Sequence, residues 1–163
     1  MCFLKEQVLK EDSQELIEKV RARAKVNLYL EVLYQRKDRF HDIFSVFTLI
    51  DWPDELEFYS FKKNKFSFIS LDPVLQKNNI IEKAAKLLKP YKKNKKGVQI
   101  KLHKKVPYQA GLGSASCNAA ATLNWLNQFW ECGLDFNKLH FLALKLGADV
   151  PFFLQEKPCC ITG

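Results

Sequence analysis

Pro107-Tyr108-Gln109-Ala110-Gly111-Leu112-Gly113-Ser114-Ala115-Ser116-Cys117 joins two segments of different period. Upstream, Val98, Ile100 and Leu102 alternate with Gln99, Lys101 and His103, the period of two that marks a half-buried strand. Downstream, Ala119, Ala120, Leu123, Leu126 and Trp130 fall on one face of a helix that begins near Asn118 and is closed by Gly133. Strand, glycine-containing loop and helix, in that order, can cradle a phosphate. Glycine lets the backbone approach the anion, and the free amides of the helix start point at it with the positive end of the helix dipole. Ser114 and Ser116 would add hydroxyl donors. The same pattern also suits a tight strand-to-helix turn that binds nothing. No lysine follows the second glycine, so the loop is not of the Walker type. Ser116 stands where the dinucleotide fingerprint needs its third glycine.

Working outward, Leu9 to Val20 has a weak helical spacing after Glu11 and Asp12, and residues 1–20 are expected to be an N-terminal extension ahead of a domain over 21–163. Val26, Leu28, Leu30 and Val32 alternate with Lys25, Asn27, Tyr29 and Glu31, which puts Lys25 and Asn27 on one face of a strand. Gln35 to Arg39 is a charged turn. The predominantly apolar run Ile43 to Ile50 predicts a strand covered on both faces, ended by Asp51-Trp52-Pro53-Asp54. Leu56 to Phe61 and Phe66 to Ser70 are further strands. Asn78-Asn79 caps a helix through Ile80, Ile81, Ala84, Leu87 and Leu88, with Pro90 beyond it. Asp135 caps a last helix over about Phe136 to Leu146, with Gly147 in the left-handed closing position. Strands come first and outnumber helices, so the class is α+β.

The 163 residues suffice for one domain with a real core. A 47% hydrophobic composition with six Gly and six Pro excludes disordered and collagen-like chains. No apolar run approaches the ~18 residues of a membrane span, and Met1 to Val20 lacks a signal-peptide core, so a soluble cytoplasmic protein without a membrane partner is expected. Cys2, Cys117, Cys132, Cys159 and Cys160 form no CxxC pair and no zinc spacing with His41, His103 or His140, and they are read as reduced thiols. The net charge of +8 is regional. Phe61 to Lys105 holds 14 lysines against Asp72 and Glu82, or +12, leaving 12 basic and 16 acidic groups, or −4, elsewhere. Such a block is either a footprint for a polyanion or a solvated lysine surface. Its doublets lack the arginines that read bases or phosphates bidentately, so a nucleic acid is not the expected partner.

Pro107 to Cys117 resembles the P-x-x-x-G-L-G-S-S-x phosphate-binding motif of the GHMP kinase superfamily. Ala24-Lys25-Val26-Asn27-Leu28-Tyr29-Leu30 is similar to that superfamily's opening strand. Asp38-Arg39-Phe40-His41 stands where one branch has D-G-Y-H, and Leu146-Gly147-Ala148-Asp149-Val150-Pro151-Phe152-Phe153 resembles the same branch's L-G-A-D-V-P-F-F. The resemblance implies the N-terminal domain of a GHMP kinase, an α+β sheet of left-handed β-α-β type with helices packed on one face, a fold shared with a ribosomal protein domain. It implies ATP-dependent phosphorylation of a hydroxyl on a cytidine-diphosphate-linked methylerythritol, in the non-mevalonate route to isoprenoids.

By the same resemblance Asp149 would be the general base. Lys25 would hold its ammonium beside Asp149 and the transferring phosphoryl group, offsetting charge on its oxygens. Asn27 would touch the same site. Phe40 and His41 would hold the cytosine by stacking and hydrogen bonding. Asn79 and Lys104 would border the adenine, and Pro107, Tyr108, Gln109, Ala110, Gly111, Leu112, Gly113, Ser114, Ala115, Ser116 and Cys117 would bind the ATP phosphates. Mg²⁺ is expected as their bridging ion, with no protein ligands identifiable. The loop departs from its relatives at Gln109, Ala110, Ser114 and Ala115, where many have glycine, and at Cys117, where a serine donor is usual. The resemblance implies a family with a second domain and substrate between the two, a domain expected to be absent from this chain, which would leave apolar surface bare and favour a homodimer. The competing expectations are a non-catalytic basic module binding RNA or nucleotide, and an inactive kinase fragment.

Overall fold

The computed structural model describes residues 15–35, 41–61, 64–76 and 79–162. Two 21-residue strands, β1 (Glu15–Gln35) and β2 (His41–Phe61), form a long antiparallel hairpin. Then come β3 (Phe66–Ser70), α1 (Ile80–Leu88), β4 (Gly97–His103), α2 (Ser114–Phe129), α3 (Phe136–Leu144), α4 (Val150–Gln155) and β5 (Cys159–Thr162). The sheet runs β1-β2-β4-β3, and β5 pairs with the first half of β2 while β4 pairs with its second half. β3 and β4 are parallel, which needs a crossover, and α1 supplies it. The class is α+β, as expected. No helix among the described residues is long and apolar enough to cross a membrane.

Five sequence expectations change. Glu15 to Val20 is strand, not helix: it pairs with Leu56 to Ser60, Lys19 reaches Glu57 at 2.7 Å and the Trp125 indole donates to Glu18 at 2.8 Å. Weak helical spacing yields there to tertiary pairing, and these residues are part of the sheet rather than an extension of it. Residues 9–14 of that segment and the turn at 36–39 lie outside the described residues. Asp51-Trp52-Pro53-Asp54 does not end a strand. Arg23 pairs with Pro53 and Lys25 with Leu49, so residues 50–52 form a bulge inside β2, where a proline without an N–H is tolerated. The run Ile43 to Ile50 is covered on one face only; Ser45 and Phe47 are buried while Phe44 is 36% exposed. Finally, α2 begins at Ser114, because Gly113 turns left-handed (φ +68°) and its carbonyl already accepts the Cys117 amide at 2.9 Å. Gly147 is not left-handed; α3 stops at Leu144 and the amides of Leu146 and Gly147 both donate to the Ala143 carbonyl.

The core lies between the sheet and helices α1 and α2. Leu56, Phe58, Val98 and Ile100 from β2 and β4 meet Ile81, Leu88, Leu123 and Leu126, all fully buried. Each such side chain is worth roughly 1.5–3 kcal/mol of apolar burial. Phe58 stacks on Trp125 at 4.0 Å between ring centroids, and Trp125 on Phe129 at 4.5 Å.

Glu57 links β1 to β2. Its carboxylate pairs with Lys19 at 2.7 Å and accepts from Tyr59 at 2.8 Å. The Lys19 hydrogen bond is the first cause of a carboxyl held at about 2, against an ordinary 4.5. The folded state therefore binds fewer protons than the unfolded one between those values. The stability so supplied is complete above about pH 4.5 and is lost as pH falls toward 2. Glu57→Gln should give an unfolding midpoint in urea that changes less between pH 5 and 2.5 than that of the unmodified chain, a range set by that shift. Equal slopes would remove Glu57 as the titrating group.

Candidate active site

The loop 107–113 and the first turns of α2 form the wall of a cleft of about 770 Å³. Pro107 to Ser116 line it, together with Asn79 at the start of α1 and Lys104 after β4. Gly111 (φ +72°) and Gly113 (φ +68°) both need the left-handed region, and Gln109 (φ +53°) adopts it without being glycine. Tyr108 donates its hydroxyl to Asp72, which ties the loop to the turn after β3. Burial and that bond push the phenol up to about 12.

Gly113 also packs against β1 and α4. A Cβ there would stand 2.6 Å from Phe153 Cζ and 3.1 Å from Lys25 Cγ, and the Lys25 amide donates to the Leu112 carbonyl at 2.9 Å. Lys25, on β1, is only 5% exposed. Its Nζ lies 3.6 Å from Asp149 Oδ2, donates to Asn27 Oδ1 at 2.6 Å and sits 4.0 Å over the Phe47 ring. The strand period places Lys25 and Asn27 together, as the alternation predicts. Asp149 precedes α4 but its side chain makes no capping bond, so the carboxylate is left to face Lys25. The pair lies just beyond Gly113 and does not line the cleft itself.

A family model described as GHMP kinases N terminal domain matches residues 79–157, the segment holding α1, the loop, α2 and Asp149. Over those residues the chain resembles a GHMP kinase N-terminal domain. It is 45% identical over 138 residues to the 4-diphosphocytidyl-2-C-methyl-D-erythritol kinase of Chlorobaculum parvum, covering 85% of this chain and 48% of that protein. Identity to the enzyme of the same name from Acinetobacter baylyi is 42% over 141 residues, covering 85% of this chain and 50% of the relative. The crystal structure of a 4-(cytidine 5'-diphospho)-2C-methyl-D-erythritol kinase superposes with a TM-score of 0.75 at 33% identity, over 90% of this chain and 52% of that one. The chain thus spans about half the length of the curated relatives it matches.

The expected site residues fall into two groups. Lys25, Asn27, Gly113 and Asp149 converge, while Asn79, Lys104 and the loop line the cleft. Asn79 is committed to the backbone as the N-cap of α1, accepting from the Ile81 amide at 2.8 Å and donating to the Leu75 carbonyl at 3.2 Å. His41 begins β2, exposed, on the strand face that also carries Ser45; four residues at about 3.3 Å each put it roughly 13 Å along the strand. Phe40 lies outside the described residues. Cys117 does not line the cleft. Its buried thiol points away from the cleft, 3.0 Å from the Ser114 carbonyl and 3.3 Å from that of Ala22, and burial pushes it up to about 12. The Ser114 hydroxyl donates to Asp54 at 2.9 Å, while the residue itself lines the cleft.

Two residues escape sequence reasoning. Ser45 donates to the Tyr29 carbonyl at 2.6 Å and therefore must accept from Asn27 Nδ2 at 2.9 Å. That fixes the Asn27 amide with its oxygen toward the Lys25 ammonium. A single serine in an apolar strand was its only signal. Asp54 is fully buried and accepts from the Lys105 and Val106 amides, Ser114 and Asn118, with Lys104 Nζ at 3.1 Å. Burial pushes its carboxyl up, but these donors outweigh it and hold the group below the usual carboxylate range.

Proposed function

We propose that this domain takes part in ATP-dependent phosphorylation of a hydroxyl of 4-diphosphocytidyl-2-C-methyl-D-erythritol, a step of non-mevalonate isoprenoid biosynthesis. The observation that carries the proposal is the Lys25–Asp149 pair at 3.6 Å, set against the left-handed Gly113 of the loop. In this scheme ATP lies in the cleft with its phosphates against the loop amides and its base toward Asn79 and Lys104. The acceptor hydroxyl sits at Asp149, which takes its proton as the oxygen attacks the terminal phosphorus. The P–O bond to the leaving diphosphate breaks, ADP departs and the proton remains on the carboxylate. Lys25, aimed by Asn27 and Ser45, offsets the charge on the transferring oxygens. His41, roughly 13 Å along the same strand face as Ser45, stands far enough out for the cytidine end of an extended substrate.

Mg²⁺ is expected to enter with the nucleotide, where it would neutralise phosphate charge. Among the described residues no group of three or more metal-ligating side chains forms. The residues therefore suit an ion brought by the nucleotide rather than a protein-built metal cage.

Titration with ATP and Mg²⁺, followed by incubation with the cytidine-diphosphate alcohol and detection of ADP and the phosphate ester, tests the scheme. Saturable binding and ester formation are expected. A protein that transfers phosphate to other alcohols but not to this one would overturn the substrate; one that binds no nucleotide would overturn the activity.

A further inference from the structure

The loop that lines the cleft leaves β4 and enters α2, and one carboxylate holds both of its ends. Asp54 Oδ1 accepts from the amides of Lys105 at 2.7 Å and Val106 at 2.8 Å, immediately before the loop. Its Oδ2 accepts from the Ser114 hydroxyl and the Asn118 amide, both at 2.9 Å, in the opening turns of α2. Lys104 Nζ, 3.1 Å from Oδ2, balances the charge and stands on the cleft wall. A carboxylate with no solvent exposure is tolerated only when its acceptor sites are filled. All five donors are therefore required where they are, and the span of the loop is set by a single group on β2. The bulge at residues 50–52 immediately precedes it in the strand.

We propose that Asp54 is a positioning residue for the ATP phosphates, an inference that rests on the kinase function proposed above. It touches no substrate. It fixes the distance from the end of β4 to the start of α2, and hence the direction in which the amides of the loop point. It also holds Lys104 against the wall, 5.0 Å from the centre of the Tyr108 ring, so that the ammonium neither swings into the phosphate position nor leaves the cleft. Asp54→Asn keeps the shape and the Oδ1 acceptor. It turns Oδ2 into a donor facing two donors and an ammonium, which opens the α2 side of the clamp.

The test measures binding of a non-hydrolysable ATP analogue with Mg²⁺, and KM for ATP and for the alcohol, in the unmodified protein, in Asp54→Asn and in Asp54→Asn/Asn118→Asp. Loss of a charge-assisted hydrogen-bond set predicts about 10- to 100-fold weaker analogue binding in the single variant. KM for ATP should rise in parallel while KM for the alcohol stays within about threefold. The double variant exchanges acceptor and donor across the 2.9 Å contact and should recover most of the loss. Unchanged analogue binding in a folded Asp54→Asn overturns the proposal, as does an equal rise of both KM values without recovery, which would mark a purely structural role. Should Asp54→Asn fail to fold, Ser114→Ala removes one donor and should weaken analogue binding about three- to tenfold; unchanged binding there also overturns it. If the unmodified protein binds no analogue, the kinase function itself falls and the proposal with it, whereas normal binding with insensitive variants sinks the proposal alone.

Discussion

Asp149→Asn is expected to lower the rate of phosphoryl transfer by about 10²–10⁴-fold, the usual contribution of a positioned general base, with nucleotide affinity within about threefold. The asymmetry follows from placement. The carboxylate is 39% exposed, makes no capping bond to α4 and lies beyond Gly113 rather than in the cleft that would hold ATP. Asparagine keeps its shape and removes only its charge and its capacity to accept a proton. Lys25→Met should cause a comparable loss of turnover while retaining contact with Phe47 and Gly113, since methionine preserves much of the buried stem. Single-turnover rates with bound ATP separate chemistry from binding in both variants. Full activity in Asp149→Asn would remove it as the base, and full activity in Lys25→Met would remove the ammonium from the transition state.

The second large effect is expected at Gly113, with Gly111 as its control. Both residues sit near φ +70°, so alanine at either incurs a backbone penalty of about 1–2 kcal/mol. Nothing stands within 4 Å of a Cβ at Gly111. At Gly113 the same atom meets Phe153 Cζ at 2.6 Å and Lys25 Cγ at 3.1 Å. Phe153 cannot give way cheaply, because it is buried and packed edge-on against Phe152 at 4.9 Å. Overpacking of this kind adds about 1–3 kcal/mol. Gly113→Ala should therefore be less stable than Gly111→Ala by that margin in urea unfolding. It should also lose most phosphoryl transfer, since relief of the clash pushes Lys25 away from Asp149. Equal stability of the two variants would mean that the loop does not press on β1.

Much of the framework is legible locally. The alternation over Val98 to His103 and Val26 to Val32 appears as strand, and Asn79 and Asp135 cap their helices through the bonds that such side chains form with amides two or three residues on. Lys25 and Asn27 share a face because the strand period puts them there. Other features are invisible in a window of a dozen residues. Glu15 to Val20 becomes strand only because Leu56 to Ser60 is available to pair with it, and Cys159 to Thr162 only because Phe44 to Phe47 has a free edge. Lys25 and Asp149 are named together by ordered motifs, not by any spacing, since nothing in either local pattern points to the other.

The sequence alone therefore determined the α+β class, the strand–loop–helix order around Gly111 and Gly113, and the shared face of Lys25 and Asn27, all properties of neighbours along the chain. Only the tertiary structure decided that Asp54, in a segment that reads as a turn, would become the buried anchor of that loop. Its partners at Lys105, Val106, Ser114 and Asn118 lie 51 to 64 residues away. The environment of a carboxylate is set by what folds around it, and no periodicity records that.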